Sequence, residues 1–389
     1  MISQRVRTIQ PSATLSLNAK LQDLIRNGSE ILNLSVGEPD FPTPEFIRER
    51  AKQAIDEGWT RYTAASGHIE ARQAICRHIA RTRKIEVEPS QVVISSGAKQ
   101  SLSQCLLSLV DPADEVLLGA PHWVSYPELI RLADGVPVTV KTDSKDGHRL
   151  TPELLEPHLT PRTTGLILNE PGNPTGTVSS ADDIAALVEF ARANDLWIIS
   201  DEIYESLIHD GELHSPFSVD PQRVSLISGL SKSFSMTGWR IGWTVCNEAQ
   251  AAAMGRLQSQ NSANPCSVSQ ACIATALEHH DHPELLSMYE TFRVRRDLLV
   301  EGLSGIPGVH FSVPGGAFYI FLDLSERLGS TGIALDAEAF AVRLLEEKGV
   351  AVVPGPAFGS EGAIRISFAR PEAELRIAIT RIRELLCES

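Results

Sequence analysis

Lys232 and Arg240 stand eight positions apart in SGLSKSFSMTGWRIGW (residues 228–243), among glycines, serines, a methionine and aromatics. Surface cations do not need such small and apolar company. A lysine enclosed there with an arginine nearby has its ammonium form disfavoured by burial and by the like charge, so its pKa is expected to fall. The neutral amine that results is a nucleophile able to form a Schiff base with an aldehyde.

The elements that would position this lysine repeat along the chain from about residue 92. Short runs, apolar at consecutive positions and rich in β-branched residues, alternate with helix-period segments. The runs are VVIS (92–95), EVLLGA (115–120), VPVTVK (136–141), GLILN (165–169), LWIIS (196–200), VSLIS (224–228) and IGWTVC (241–246). They suit strands buried on both faces of a mostly parallel sheet, and amphipathic segments such as ADDIAALVEFARAND (181–195) suit its crossover helices. In α/β sheets of this kind ligands bind beyond the carboxyl ends of the strands.

At that rim Gly97 opens a helix whose N–H groups suit an anion, Asn173 sits in NEPGNPTG, Asp201 and Tyr204 sit in DEIY, and Lys232 follows VSLIS. Each has an ordinary reading on its own. The glycine is a turn, the asparagine turn chemistry before proline, the aspartate an N-cap, the tyrosine core and the lysine a solvated cation. Their convergence is what an aldehyde cofactor with a phosphate and a basic ring nitrogen requires: an amine, an anion site and a carboxylate. Pyridoxal phosphate fits that description.

The C-terminal part differs. A helical stretch near residues 285–305 is followed by FYIFLDL (318–324), VAVVPG (350–355) and AIRISF (363–368), a mixed pattern expected to form a smaller α+β lobe that the segment around residues 28–47 joins. The expected division is an N-terminal arm with part of the small domain (1–47), a large cofactor-binding domain (48–284) and a small C-terminal domain (285–389).

Composition narrows the class. With 42% hydrophobic and 22% charged residues over 389 positions, the chain has the balance of a folded, enzyme-sized protein. Its net charge of −14 and the lack of any basic run argue against nucleic acid as a partner. Cys76, Cys105, Cys246, Cys266, Cys272 and Cys387 are scattered without chelating spacing, so no metal site is expected. The N-terminal segment is too polar for a signal peptide and no apolar run is long enough to span a bilayer, so a cytoplasmic protein without membrane contact is expected.

Taken in order, PSATLSLNAK, VGEPDFPTP, RYTAASG, SSGAKQ, PHWVSYPE, NPTG, SDEIYE, SKSFSMTGWRIG, PGGAFYIF and IRISFA resemble the motifs of the class I, fold-type-I aminotransferases, closest to their bacterial aspartate aminotransferase branch. The resemblance implies an α/β fold of the fold-type-I pyridoxal-phosphate transferases: a large domain with a mostly parallel seven-stranded sheet, plus a smaller α+β domain. It implies a homodimer with shared active sites. The implied reaction moves an amino group between an L-amino acid, aspartate or another dicarboxylic one and also aromatic ones, and a 2-oxo acid such as 2-oxoglutarate. The alternative is a specialised enzyme on the same scaffold that eliminates or replaces a β- or γ-substituent or cyclises an amino acid.

By the same resemblance Lys232 bonds the cofactor aldehyde and shuttles a proton between the substrate Cα and the cofactor C4′. Asp201 pairs with the pyridinium nitrogen, Asn173 and Tyr204 hydrogen-bond the phenolic oxygen, and Trp123 stacks on the ring. Arg240 binds the phosphate with the backbone at Gly97 and Ala98, Lys99 and Ser231 belong to the same cofactor site, and Tyr62 reaches the phosphate from the neighbouring subunit. Arg365 grips the substrate α-carboxylate beside Gly37, Trp123 and Asn173, while Lys99, Ser12 and Thr14 meet an acidic side chain. Two places depart from the family pattern. Gly229 stands where relatives have a phosphate-binding serine, leaving Ser228 or Ser231 to compensate, and Glu170 and Gly172 stand where serine and asparagine are common.

Overall fold

The computed structural model describes residues 2–3, 6–7, 9–10, 21, 26, 28, 30–329 and 333–387. After a two-residue strand β1 (Leu32–Asn33), the seven apolar runs form β2 (Val92–Ser95), β3 (Glu115–Ala120), β4 (Val136–Lys141), β5 (Thr163–Asn169), β6 (Trp197–Asp201), β7 (Val224–Gly229) and β8 (Gly242–Val245). They make one sheet in the order β2-β8-β7-β6-β5-β3-β4. Only β8 runs antiparallel to its neighbours, so the sheet is mostly parallel.

Burial on both faces explains why these runs lack alternation. Leu166, Ile198 and Leu226 enter the core on one side, and their neighbours Ile167, Ile199 and Ile227 enter the core on the other. The edge strand β4 is different: Val136, Thr139 and Lys141 are exposed. Helices cover the two faces, among them Ala98–Leu109 and Ala181–Ala193. The second is set by a capping box, in which Ser180 Oγ accepts from Asp183 N at 3.2 Å and the Asp183 carboxylate accepts from Ser180 N at 3.3 Å.

The smaller lobe is drawn from both ends of the chain. β9 (Tyr319–Asp323), β11 (Val353–Pro354) and β12 (Ala363–Ser367) form an antiparallel sheet in the order β11-β12-β9, and β10 (Val350–Ala351) pairs in parallel with β1. Ser367 N also donates to Leu34 O at 2.8 Å, which lays residues 34–37 beside β12 and its Arg365. The helix read from residue 285 begins at Pro283, behind a His282 cap, and continues to Leu303. Among the described residues no helix is long and apolar enough to cross a membrane, and no group of three or more His, Cys, Asp or Glu side chains could hold a metal ion.

Candidate active site

The carboxyl ends of the parallel strands and the edge of β12 meet around a cavity of about 440 Å³. Gly37, Ala98, Lys99, Trp123, Asn173, Asp201, Tyr204, Ser231, Lys232, Arg240 and Arg365 all line it. Gly97 stands just behind, with a positive φ of 91°, and a Cβ there would meet Arg240 Nη2 at 2.5 Å. Only glycine lets the arginine lie against that turn. Tyr62 is outside the cavity on the surface, 90% exposed. Ser12 and Thr14 lie outside the described residues.

Lys232 is not the solvated cation of its ordinary reading. Its Nζ donates to Gly37 O at 2.5 Å inside the cavity. Burial, with Arg365 and Arg240 nearby, brings its pKa down to about 8 against the opposing pull of Glu38 and Asp201. Lys99 is lowered too, by burial and by Arg240, and its Nζ rests 4.8 Å from the centre of the Trp123 ring. Arg240 anchors itself by donating from Nη1 to Thr237 O at 2.8 Å.

Asp201 caps no helix. It ends β6 and leads into turns, where its Oδ1 accepts from Ile203 N at 3.3 Å. Its other oxygen accepts from Tyr126 Oη at 2.8 Å. Burial raises its pKa to about 6, although the Tyr126 and Ile203 hydrogen bonds and Lys232 favour the carboxylate. Tyr204 and Tyr319 share a hydroxyl hydrogen bond of 2.9 Å. Arg365 is 2% exposed, donates from Nη1 to Asn173 Oδ1 at 3.0 Å and from Nη2 to Ser35 O at 2.7 Å, and lies over the Tyr319 ring. Its Nε has no partner. Both oxygens that its Nη atoms meet are neutral, so the cavity wall carries a buried cation with no carboxylate partner among the described residues.

A family profile described as "Aminotransferase class I and II" matches residues 29–382. The chain belongs to that family. Members of this aminotransferase family move an amino group between an amino acid and a 2-oxo acid and use pyridoxal phosphate. Among curated relatives, the aspartate/prephenate aminotransferase of Cereibacter sphaeroides is 42% identical, with 98% of each chain aligned. The aspartate aminotransferase of Bacillus subtilis is 37% identical over 99% of this chain and 98% of its own. The solved structure of Thermus thermophilus aspartate aminotransferase with maleate superposes with a TM-score of 0.94 at 39% identity, over 99% of both chains. The fold is that of the fold-type-I aminotransferases.

Around this cavity the two departures resolve differently. Ser228 does not face the cavity, because its hydroxyl donates to Glu205 Oε1 at 2.8 Å, and so it is no substitute phosphate ligand. A side chain at position 229 would meet Ile241 O at 2.8 Å and Gly242 Cα at 2.9 Å, so this backbone has no room for serine there. Ser231 alone of the two neighbouring serines lines the cavity. Glu170 neither lines that cavity nor points to solvent. Its carboxyl accepts from Ser179 N at 2.8 Å and Ser179 Oγ at 2.6 Å, and burial pushes its pKa up to about 7.

Sequence reasoning missed Tyr126, Tyr319, Ser35 and Glu38, all of which line the cavity. Two of them carried a signal. Tyr126 stands three residues after Trp123 in PHWVSYPE, on the same face of one turn, and Tyr319 stands two residues before Phe321, the residue directly opposite Arg365, and so on the same face of the sheet. Ser35 contributes only its carbonyl, for which a sequence has no signature.

Proposed function

We propose that this aminotransferase holds pyridoxal phosphate in the 440 Å³ cavity and takes dicarboxylic substrates, with aspartate as amino donor and 2-oxoglutarate as acceptor. The observation that carries the reading is one cavity with a low-pKa lysine, a buried carboxylate and a buried arginine whose hydrogen-bond partners are neutral oxygens. These residues fit the cofactor: an amine for its aldehyde, a carboxylate for its ring nitrogen, and Arg240 with the helix start at Ala98 for its phosphate. When bound, pyridoxal phosphate supplies an aldehyde that takes the amino group and a ring that accepts the electrons left at Cα.

The chain's own residues do the rest. Lys232 Nζ, its pKa brought down by burial, would take the proton from the substrate Cα and hold it for return. Asp201 keeps a proton on the ring nitrogen, and Tyr126 keeps Asp201 in place. Tyr204 and Asn173 would hydrogen-bond the phenolic oxygen, Trp123 would cover the ring, and Ser231 would assist Arg240 at the phosphate, all of them lining the cavity. Arg365 aligns the α-carboxylate with its fork while Gly37 walls the same side. Tyr62, so exposed in one subunit, completes the phosphate site of a partner subunit in a homodimer.

Two expectations follow from the cations. The rate at which the cofactor-free protein captures an aldehyde rises with pH to a midpoint near 8 and then levels, because the neutral amine of Lys232 is the reactive form and burial with Arg365 and Arg240 favours it. A midpoint near that of a free lysine, about 10.4, would place Nζ in solvent. Lys99→Ala weakens aspartate by about 1.5–3 kcal/mol in kcat/KM, the worth of a charge-assisted hydrogen bond, and leaves alanine as substrate little changed. Equal losses for both amino acids would assign Lys99 to the cofactor and end the dicarboxylate reading. Prephenate belongs in the same panel because relatives carry that substrate in their names.

A further inference from the structure

Behind the turn that carries Asp201 and Tyr204 lies a cluster of charges for which transamination has no use. Within DEIYE the side chains divide: Asp201 and Tyr204 line the cavity, whereas Glu202 and Glu205 do not. Glu202 is fully buried, and the side chains of Glu205 and Arg83 are 6% and 5% exposed. Arg83, the last residue of the helix Ile69–Arg83, donates from Nε to Glu202 Oε2 at 2.9 Å and from Nη2 to Glu205 Oε2 at 2.6 Å. Each carboxylate is then met on its other oxygen. Ser200 and Ser215 donate to Glu202 Oε1, Ser228 donates to Glu205 Oε1, and His78 Nε2 lies 3.1 Å from the same oxygen.

We propose that Arg83 is a positioning residue for this active site: by gripping Glu202 and Glu205 together it fixes the turn that presents Asp201 and Tyr204 to the cavity. The inference rests on the proposed cofactor site. Three strands of observation converge on it. The gripped residues alternate in sequence with the cavity residues, so the turn cannot rotate without tearing a buried ion pair. Glu202 N donates to Ile227 O at 2.8 Å and Ser228 is four residues before Lys232, so the same cluster registers the aspartate-bearing turn against the lysine-bearing one. Burial works against the charge on Glu205, yet His78 and Arg83 outweigh it and hold that carboxyl well below its usual range, so this arm of the clamp stays ionised. Stability alone is a poor account of such a cluster, since apolar packing serves stability at least as well as buried ion pairs do.

Arg83→Lys tests the clamp, because an ammonium keeps the charge but cannot bridge two carboxylates in a planar fork. In the cofactor-free protein, amide exchange over residues 201–205 is expected to speed up by about tenfold with the rest of the sheet unchanged. In the protein loaded with pyridoxal phosphate, kcat is expected to fall about tenfold with KM within about threefold, less than the hundredfold that an ångström of misplacement removes. The pH midpoint of the bound cofactor's visible absorption is expected to move, by about half a unit or more, as the Asp201 carboxylate loses its aim. A lowered melting temperature with wild-type exchange over 201–205, wild-type midpoint and wild-type kcat would overturn the proposal. If Arg83→Lys does not fold, Ser228→Ala, which removes one neutral donor, decides with the same readouts and smaller shifts in the same direction. A wild-type protein that takes up no pyridoxal phosphate refutes the function proposed above, while exchange in the cofactor-free protein still tests the clamp.

Discussion

Lys232→Ala leaves a folded protein that still takes up pyridoxal phosphate but never bonds it, and its turnover falls by about 10⁴-fold or more. On the function proposed above one nitrogen performs two tasks, bonding the aldehyde and moving the proton at Cα, and no other amine among the residues lining the cavity is placed to replace it. Lys99 rests against Trp123, and Arg240 and Arg365 carry guanidinium groups rather than amines. Folding survives because the lost interactions are few: one hydrogen bond to Gly37 O, set against the relief of a cation confined with Arg365 and Arg240. The melting temperature of the cofactor-free variant therefore equals or exceeds that of wild type. Borohydride treatment followed by intact mass checks the bond. A cofactor adduct on the variant, or turnover within about tenfold of wild type, would remove Lys232 from its role.

What the sequence discloses about this molecule depends on how local the physics is. The seven strands of the large sheet were legible because burial on both faces writes itself as consecutive apolar residues, which is why VVIS and β2 coincide and GLILN lies inside β5. The residues placed at the rim follow strand ends, so the topology of an α/β sheet was enough to bring Asn173, Asp201, Tyr204 and Lys232 to one cavity. The rest depends on direction. Ser228 and Ser231 are equally good candidates as letters, and only the pleat of β7 and the turn after it send the first to Glu205 and the second to the cavity. Glu202 and Glu205 carry no signal as letters, and their pairing appears only when Arg83, more than a hundred residues earlier, is seen between them. Glu170 shows the same limit: its partner Ser179 is a loop contact that no periodicity announces.

Asp201→Ala is expected to fold and to lose about 10²–10³-fold in kcat, the scale on which one preorganised electrostatic group acts on a developing charge. The carboxylate is 3% exposed and receives hydrogen bonds from Tyr126 Oη and Ile203 N, so it is held in one direction before any ligand arrives. Its pKa near 6 means that it is ionised above that pH, and a protonated ring nitrogen beside it would favour ionisation further. Asp201→Asn separates charge from shape, since an amide still accepts the Tyr126 hydrogen bond and fills the same space. If the charge matters, asparagine loses nearly as much kcat as alanine. Tyr126→Phe, which removes one hydrogen bond to a charged group and leaves the charge, should cost about tenfold. That order, with both Asp201 variants far below Tyr126→Phe, is the signature of a carboxylate that holds a proton on the ring. An Asp201→Asn enzyme within about threefold of wild type would instead make Asp201 a turn residue that happens to face the cavity.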